Sequence, residues 1–154
     1  MIGIGALGCK YIKNFGLMVI SCNNGEITII DKDNIVLSNL NRQFLFNQND
    51  VKESNLKSYC AKREELKINN NMNIKDYQLL VNDNSTDIFD EEFFEKQNII
   101  ILDIDNLKAR GYLDNLCTFY NKIFIGSGSE GTKANSDIYI YYPNKSICLN
   151  DFLF

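Results

Sequence analysis

The first residues with a spacing that suggests chemistry are glycines near the start of the chain. Gly3, Gly5 and Gly8 form the pattern GxGxxG, and Ala6 follows the second glycine. In such a turn the first glycine permits a tight bend, the second lets the backbone approach a phosphate, and the third lets a helix pack closely. The following helix then presents N–H groups and the positive end of its dipole to an anion. The pattern alone is weak, and a flexible N-terminal tail explains it equally well.

An acidic residue at a suitable distance strengthens the nucleotide hypothesis. Asp31 follows an apolar segment, residues 26–30, that is typical of a strand. It lies about 20 residues beyond the glycines, where an acid hydrogen-bonds the hydroxyls of a ribose. These features alone do not distinguish an ATP enzyme from an NAD(P)-dependent oxidoreductase of the Rossmann type.

A polar cluster among apolar residues comes next, in the segment SNLNRQFLF over residues 38–46. It contains Asn39, Arg42 and Gln43, whose side chains suit the binding of charged phosphates. Arg42 in particular carries a rigid fork of donors that matches phosphate oxygens. A capping loop with a surface arginine is the simpler alternative.

The composition excludes several other classes of chemistry. The chain has no histidine, which excludes Ser-His-Asp and Cys-His nucleophile pairs and histidine metal sites. Its five cysteines form no CxxC pair, so we expect a reducing compartment without a disulfide framework or structural zinc. The net charge of −4 disfavours a nucleic-acid surface. No apolar run approaches the roughly 18 to 20 residues that span a bilayer, so we expect no membrane contact.

Apolar patterns predict the elements that would position these residues. Helical and strand patterns alternate, which favours an α/β fold with a Rossmann-like, mostly parallel sheet and helices on both faces. Only Met1 and Ile2 precede the glycine turn, so we expect the first strand of such a fold to be missing. The patterns predict helices over residues 9–20, 54–67, 87–96 and 106–121, and strands over 26–30, 76–81, 98–102, 122–126 and 136–142.

The motifs, taken in order, resemble those of the ubiquitin-activating (E1) enzyme family and its ThiF/MoeB-like bacterial relatives. Residues 30–46, IDKDNIVLSNLNRQFLF, are similar to the signature of this family. The similarity continues in the glycine loop and first helix (3–15), the lysine segment LKS (56–58), the metal-binding segment LDIDNLKAR (102–110) and a later loop (127–135). That loop ends in TKAN, which is closer to ubiquitin enzymes than to those for related modifiers. The chain therefore resembles part of the active adenylation half of a ubiquitin-type enzyme.

This resemblance implies a role for each matching residue. The glycine loop and Ala6 would face ATP, and Asp31 its ribose. Arg42 and Lys57 would act catalytically by holding the triphosphate as pyrophosphate departs. Contacts with ATP or its magnesium ion are implied for Gly3, Gly5, Ala6, Gly8, Asp31, Asn39, Arg42, Gln43, Lys57, Asp105 and Asn106, with Asp105 as the Mg²⁺ ligand. Two simpler readings stay open, in which Lys57 lies on a solvated helix face and Asp105 caps the helix that begins at Asn106.

A cysteine near the end of the chain raises a separate question. In the resembling family, a cysteine after the last adenylation strand accepts the modifier as a thioester, within a motif similar to PxCTxxxFP. Here residues 145–152, KSICLNDF, contain Cys148 and Phe152 but lack the flanking proline and the threonine. We therefore divide the chain into a partial adenylation domain, residues 1–142, and the start of the crossover to the cysteine segment, residues 143–154. An inert, buried thiol is the alternative for Cys148.

The resemblance implies ATP- and Mg²⁺-dependent adenylation of the C-terminus of ubiquitin or a ubiquitin-like protein, followed by transfer to a cysteine thiol. It also implies three partners: the modifier, an E2 conjugating enzyme that binds regions absent here, and an inactive adenylation half in the same or another chain. Work in the cytoplasm or nucleus is expected. An NAD(P)-dependent oxidoreductase is the first alternative, but it leaves the 39–43 cluster and Lys57 unexplained. A catalytically degenerate E1-like binding module is the second, motivated by the altered surroundings of Cys148.

Overall fold

The chain folds into helices and short, mostly parallel strands. A computed structural model describes residues 1–82, 88–130, 135–148 and 151. It divides into two compact units, Met1–Leu79 and Leu80–Phe154, called here the first and the second unit. Both combine strands with helices, as the predicted α/β class requires. Within the described ranges, no helix has the length and apolar character needed to cross a bilayer.

The first unit pairs two parallel strands and packs helices against them. Strands β1 and β2 run in register from the pair Ile27–Ile74 to the pair Ile30–Tyr77. The start of the chain adds one parallel bridge, Ile2 to Ile30. Helix α1 buries residues three and four positions apart, which is the spacing of a helix with one apolar face. The elements are α1 (Ala6–Leu17), β1 (Ile27–Ile30), a 3-10 turn (Leu37–Asn39), α2 (Gln48–Lys52), α3 (Lys57–Ile68) and β2 (Ile74–Tyr77).

The second unit contains three strands in the order β3-β4-β5. Strands β3 and β4 are parallel and are connected through helix α5, while β5 is antiparallel to β4. Phe94, Leu113 and Phe124 are fully buried in its core. The elements are α4 (Glu91–Lys96), β3 (Ile99–Leu102), α5 (Leu107–Phe119), β4 (Ile123–Glu130) and β5 (Asn135–Tyr141).

The order of predicted elements is confirmed, and the differences lie at the ends of helices and strands. Helix α1 begins at Ala6, three residues before the predicted start, because Gly5 serves as its N-cap. It ends at Leu17 in a Schellman motif, in which the N–H of Ile20 donates to the Phe15 carbonyl and the N–H of Val19 to the Gly16 carbonyl. The backbone at Val19 is left-handed, with φ of 59°. A turn that usually needs glycine therefore closes on valine, which hid this helix end in the sequence.

Three further predictions need correction. The loop predicted over 39–49 contains the start of α2, whose capping box joins Asn47 and Asp50 through both backbone N–H groups. Strand β2 lies at Ile74–Tyr77, so it begins two residues and ends four residues earlier than predicted, since its partner β1 sets the register. The helix predicted over 87–96 begins at Glu91, because Asp90 caps it by accepting from the N–H of Phe93 at 2.8 Å. Residue 87 itself lies outside the described ranges.

Candidate functional site

The glycine turn of the first unit is fixed at both of its ends. Gly3 has φ of 92°, which favours glycine, and its N–H donates to the Ile30 carbonyl at 2.8 Å. The next N–H, that of Ile4, donates to Asp31 Oδ2 at 2.7 Å. Gly5, the N-cap of helix α1, has no side chain of its own to cap the helix, and the first turn carries no acidic residue. The positive end of the helix dipole is therefore not neutralised by side chains of the helix itself.

Asp31 links this turn to the end of strand β1. It is buried, and its second oxygen, Oδ1, accepts from the N–H of Asp33 at 2.8 Å. Burial raises the pKa of Asp31, while the N–H donors of Asp33 and Ile4 and the charge of Lys57 act in the opposite direction. A carboxylate has about four lone-pair sites, so two N–H donors leave room for the ribose hydroxyls of the prediction. The supporting role of Asp31 in the turn was not foreseen from the sequence.

Lys57 is the first residue of α3 and is held by Asp33. Its Nζ lies 2.9 Å from Asp33 Oδ2, and its backbone N–H donates to the Asp33 carbonyl at 3.0 Å. The Lys57 side chain is only 10% exposed, whereas that of Asp33 is 48% exposed. Lys57 therefore does not lie on a solvated helix face, which removes one of the simpler readings of the sequence.

The 37–46 segment places its polar residues in contrasting surroundings. Asn39 is buried, and its Oδ1 accepts from the N–H of Val36 at 3.0 Å, so its side chain stabilises the 3-10 turn. Gln43 is 3% exposed, and its Oε1 has no hydrogen-bond partner among the described residues. Arg42 is exposed, and its Nη1 donates to the Ser38 carbonyl at 2.9 Å. The rest of its guanidinium has donors to spare for an anion.

The structure joins only some of the predicted residues of this unit. Asp31 and Lys57 are connected through Asp33, a residue that the sequence hypothesis did not assign. Among the described contacts, no hydrogen bond or ion pair joins Arg42 to Asp31 or to Lys57. The connected part of the site is thus the end of β1 and the start of α3.

An ion pair between a buried aspartate and a partly exposed arginine stabilises the position of α3. Asp50 of α2 is 2% exposed and lies 2.8 Å from Arg63 Nη2 of α3. Asp50 also accepts from the N–H of Asn47 at 3.0 Å and from the Cys60 thiol at 3.4 Å. Burial alone would raise the pKa of Asp50, but the donors from Asn47 and Arg63 outweigh it and the pKa is lowered. The capping-box spacing of Asn47 and Asp50 was the signal in the sequence that could have revealed half of this cluster.

In the second unit, the predicted metal ligand is accessible. Asn106, not Asp105, caps helix α5, since its Oδ1 accepts from the N–H groups of Lys108 at 2.9 Å and Ala109 at 3.3 Å. The reading of Asp105 as the helix cap is therefore wrong, because the helix begins at Leu107, one residue later than predicted. Asp105 is exposed and makes no hydrogen bond or ion pair within the described part of the chain.

Arg110 holds the backbone on which Asp105 lies. Its Nε donates to the Ile104 carbonyl and its Nη2 donates to the Ser127 carbonyl of β4. A Cβ added at Gly128 would lie 2.7 Å from Arg110 Nη2, so the absence of a side chain there makes room for the guanidinium. The sequence hypothesis included Arg110 in a matching segment without giving it a role.

Cys148 is partly buried and has an acidic neighbour. A hydrogen bond with Asp151 raises the pKa of the Cys148 thiol, and burial and the nearby Asp114 raise it further. This setting favours the thiol over the reactive thiolate. Burial likewise raises the pKa of Cys60 and of Cys117 to about 12, as suits structural thiols. Most of the TKAN ending and Phe152 of the cysteine motif lie outside the described residues.

Comparisons with known proteins identify the family of this chain. The chain matches the ThiF family over residues 1–154. It is 40% identical over 149 residues to ubiquitin-activating enzyme E1 1 of Schizosaccharomyces pombe, and 37% identical over 147 residues to ubiquitin-like modifier-activating enzyme 1 of Homo sapiens. In both cases the match covers 95% of this chain and 14% of the relative, so the chain spans a small part of the length of these proteins.

Solved structures show the same fold. E. coli MccB crystallised with ATP superposes with a TM-score of 0.76 and 27% identity, and MccB with succinimide gives 0.75 and 26%. Each covers 96% of this chain and 41% of MccB. Since the family match extends over the whole chain and the fold agrees, this chain belongs to the ThiF family.

Proposed function

We propose that the full-length protein activates ubiquitin or a ubiquitin-like protein by ATP-dependent adenylation of its C-terminal carboxylate. The observation that carries the proposal is the connected set at the end of β1, in which Asp31 supports the glycine turn and Asp33 holds Lys57. Relatives of this chain are named as ubiquitin-activating enzymes, and MccB was crystallised with ATP. Both facts support the same class of reaction here.

The polar groups of the first unit suit ATP as a substrate. The positive dipole end of α1, whose first turn carries no acidic residue, favours phosphate, and Asp31 retains acceptor capacity for ribose hydroxyls. Gln43 Oε1 is a buried acceptor with no donor from the described residues, so it fits an N–H or O–H group of the nucleotide. Asn39 would act mainly by fixing this segment, since its Oδ1 already accepts from Val36.

Asp105 suits a magnesium ion that arrives with the triphosphate. Mg²⁺ keeps several waters and is usually held by one or two carboxylates together with substrate phosphates. The described residues contain no group of three or more histidine, cysteine, aspartate or glutamate side chains that could hold a metal ion, so an all-protein cage is not the arrangement proposed. Asp105 would be the protein ligand, and Asn106 would contact ATP from the cap of α5. When bound, Mg²⁺ would neutralise phosphate charge.

The proposed reaction requires positioning and positive charge. A carboxylate oxygen of the modifier attacks the α-phosphorus of ATP, the new P–O bond forms, and the bond to the bridging oxygen breaks as pyrophosphate leaves. Lys57 and Arg42 would donate to phosphate oxygens and stabilise the charge that develops on the leaving group. None of these steps needs a histidine.

Transfer to a cysteine is the second proposed step, with Cys148 as the candidate in the crossover segment 143–154. The thiolate sulfur would attack the acyl carbonyl of the adenylate, a thioester would form and AMP would leave, after the thiol proton has passed to a base. Because Asp151 raises the pKa of Cys148, the contact between them lowers the fraction of thiolate available for this step. An E2 enzyme and an inactive adenylation half would act through regions outside residues 1–154.

The test is modifier-dependent exchange of pyrophosphate into ATP by the full-length protein. Asp105→Ala should abolish exchange, whereas Cys148→Ala should remove the thioester while the earlier exchange step continues. No exchange with any ubiquitin-like protein would overturn the proposal.

The acidic surroundings of Cys148 favour one second candidate, a binding module without catalysis. ATP binding that persists without exchange would support it.

A further inference from the structure

We propose that Asp33 is a positioning residue for Lys57, which it holds in place for the departing pyrophosphate before ATP binds. This inference rests on the proposed function, because it assumes that Lys57 acts on the triphosphate. Asp33 itself would not touch the reacting atoms. It would act by fixing the ammonium group that does.

Three hydrogen bonds place Asp33 between two residues with predicted roles. Its side-chain Oδ2 accepts from Lys57 Nζ at 2.9 Å, and its carbonyl accepts from the Lys57 backbone N–H at 3.0 Å. Its own N–H donates to Asp31 Oδ1 at 2.8 Å. Asp33 thus fixes both the backbone of Lys57 at the start of α3 and the ammonium group of its side chain. It also links them to Asp31, which is predicted to bind the ribose.

The burial of Lys57 gives this contact its importance. With 10% of the side chain exposed, the ammonium has lost most of its hydration and needs a charged partner. Asp33 is the partner found among the described residues. Its other oxygen, Oδ1, lies 4.0 Å from the exposed Lys32, a contact that adds little because both groups are solvated. Lys57 has three N–H donors and uses one on Asp33, so the others remain for phosphate oxygens.

A second lysine–aspartate pair on the same helix provides a matched control. Lys62 of α3 lies 2.8 Å from Asp76 of β2, and its side chain is 35% exposed. Neither residue contacts a predicted site residue through a described hydrogen bond. Loss of Asp76 therefore removes an equivalent ion pair from α3 without changing Lys57.

The first measurement is the labelling rate of each lysine by an amine-reactive reagent, read by peptide mass spectrometry. It requires no catalytic activity. Asp33→Ala and the isosteric Asp33→Asn should speed the labelling of Lys57 several-fold and leave Lys62 unchanged, because the ammonium is no longer held. Asp76→Ala should speed the labelling of Lys62 and leave that of Lys57 unchanged. Unchanged labelling of Lys57 in both Asp33 variants would overturn the inference.

The second measurement is the rate of modifier-dependent pyrophosphate exchange by the full-length protein. Lys57 would act as charge develops, so Asp33→Ala should lower kcat, about 100-fold for a misplacement of about 1 Å, with little change in KM for ATP. Asp33→Glu should restore part of the rate, and Asp76→Ala should leave it unchanged.

A double variant decides whether Asp33 acts through Lys57. Added to Lys57→Ala, the change Asp33→Ala should cause no further loss of rate, because the group that it positions is gone. If the rate losses of the two single variants instead multiply in the double variant, the inference is overturned. Absence of exchange in the unaltered protein would instead overturn the proposed function, and the labelling rates would still decide whether Asp33 holds Lys57.

Discussion

The two units treat their candidate site residues differently. In the first unit the candidate phosphate-binding residue, Lys57, is itself buried and ion-paired. In the second unit the candidate metal ligand, Asp105, is exposed, and only the backbone beside it is held. Asp33 contacts the ammonium of Lys57 directly. Arg110, in contrast, fixes the carbonyls of Ile104 and Ser127 and leaves the carboxylate of Asp105 without a described partner.

The difference follows from what each group must bind. A lysine that meets a bulky anion gains from a fixed position, because the ordering is complete before the substrate arrives. A magnesium ligand must meet an ion that keeps its waters, so an accessible carboxylate on a fixed backbone is suitable. Substitutions in the first unit should therefore affect the Lys57 side chain directly. Substitutions in the second unit should act through the backbone around Asp105.

Among the predictions that compare the two units, the largest effect is expected for Arg110→Ala, which tests the loop of the second unit. The loss of both carbonyl contacts should release the backbone around Asp105 and lower pyrophosphate exchange about 10- to 100-fold, as is typical for residues that orient metal ligands. A raised Mg²⁺ concentration should recover part of the rate. Arg110→Lys should recover little, because lysine lacks the planar fork. Full exchange by Arg110→Ala would contradict the role given to this residue.

The second prediction compares a glycine in each unit. A Cβ at Gly16 would lie 1.8 Å from Glu65 Oε1, and Glu65 is fully buried, so Gly16→Ala should lower the free energy of unfolding by about 1–3 kcal/mol. At Gly128 the nearest atom is at 2.7 Å, on the partly buried Arg110. Gly128→Ala should therefore cost less stability and reduce exchange more. Urea unfolding of the 154-residue chain and exchange by the full-length protein measure the two effects, and the opposite order would break the comparison.

Adjacent glutamates of α3 provide the third prediction. Burial raises the pKa of Glu65 to about 7, with only the charge of Lys13 acting against it. The folded state then keeps a proton that the unfolded chain releases near 4.5, so this contribution to stability is complete below pH 4.5 and is lost as pH rises to about 7. The stability difference between the natural chain and Glu65→Gln should fall across that window.

Glu64 provides the control with the opposite sign. Burial acts to raise its pKa, but hydrogen bonds from Lys67 and Arg63 outweigh this effect and lower it. Its contribution should be present above pH 4.5 and disappear as pH falls. Urea midpoints of Glu64→Gln and Glu65→Gln between pH 4 and pH 8 measure both trends, and parallel curves would contradict the assignment of Glu65 as a buried acid.

The smallest effect is expected at the ends of α1 and α5. Both helices close in a Schellman motif with a left-handed residue, Val19 in the first unit and Asn121 in the second. Valine in this conformation is strained by about 1–2 kcal/mol, whereas asparagine tolerates it. Val19→Gly should raise the free energy of unfolding by about 1 kcal/mol, and Asn121→Gly should change it much less. Equal effects on the urea midpoint would show that Val19 is not strained.

The sequence predicted most of the elements because their signals are local. The GxGxxG turn, the apolar run at Ile99–Leu102 and the alternation of helix and strand each depend on neighbouring residues. Lys57 and Asp33 are 24 positions apart, and Arg110 and Ser127 are 17 apart, so no periodicity links them. The resemblance to a family identified candidate residues, whereas the groups that hold them became visible only in the folded chain. The cap of α5 is a local feature that the sequence did not settle. Asp105 and Asn106 are adjacent, and aspartate and asparagine are equally good N-caps.

Gly16 and Glu65 also restrict which residues each position can accept. Glutamate at position 65 fits only while position 16 has no side chain, since a Cβ there would lie within 1.8 Å of a carboxylate oxygen. A side chain added at position 16 alone would displace this carboxylate, whereas the same change combined with a smaller residue at position 65 would not. The two positions are therefore coupled, and their combined substitution should cost less stability than the sum of the two single changes.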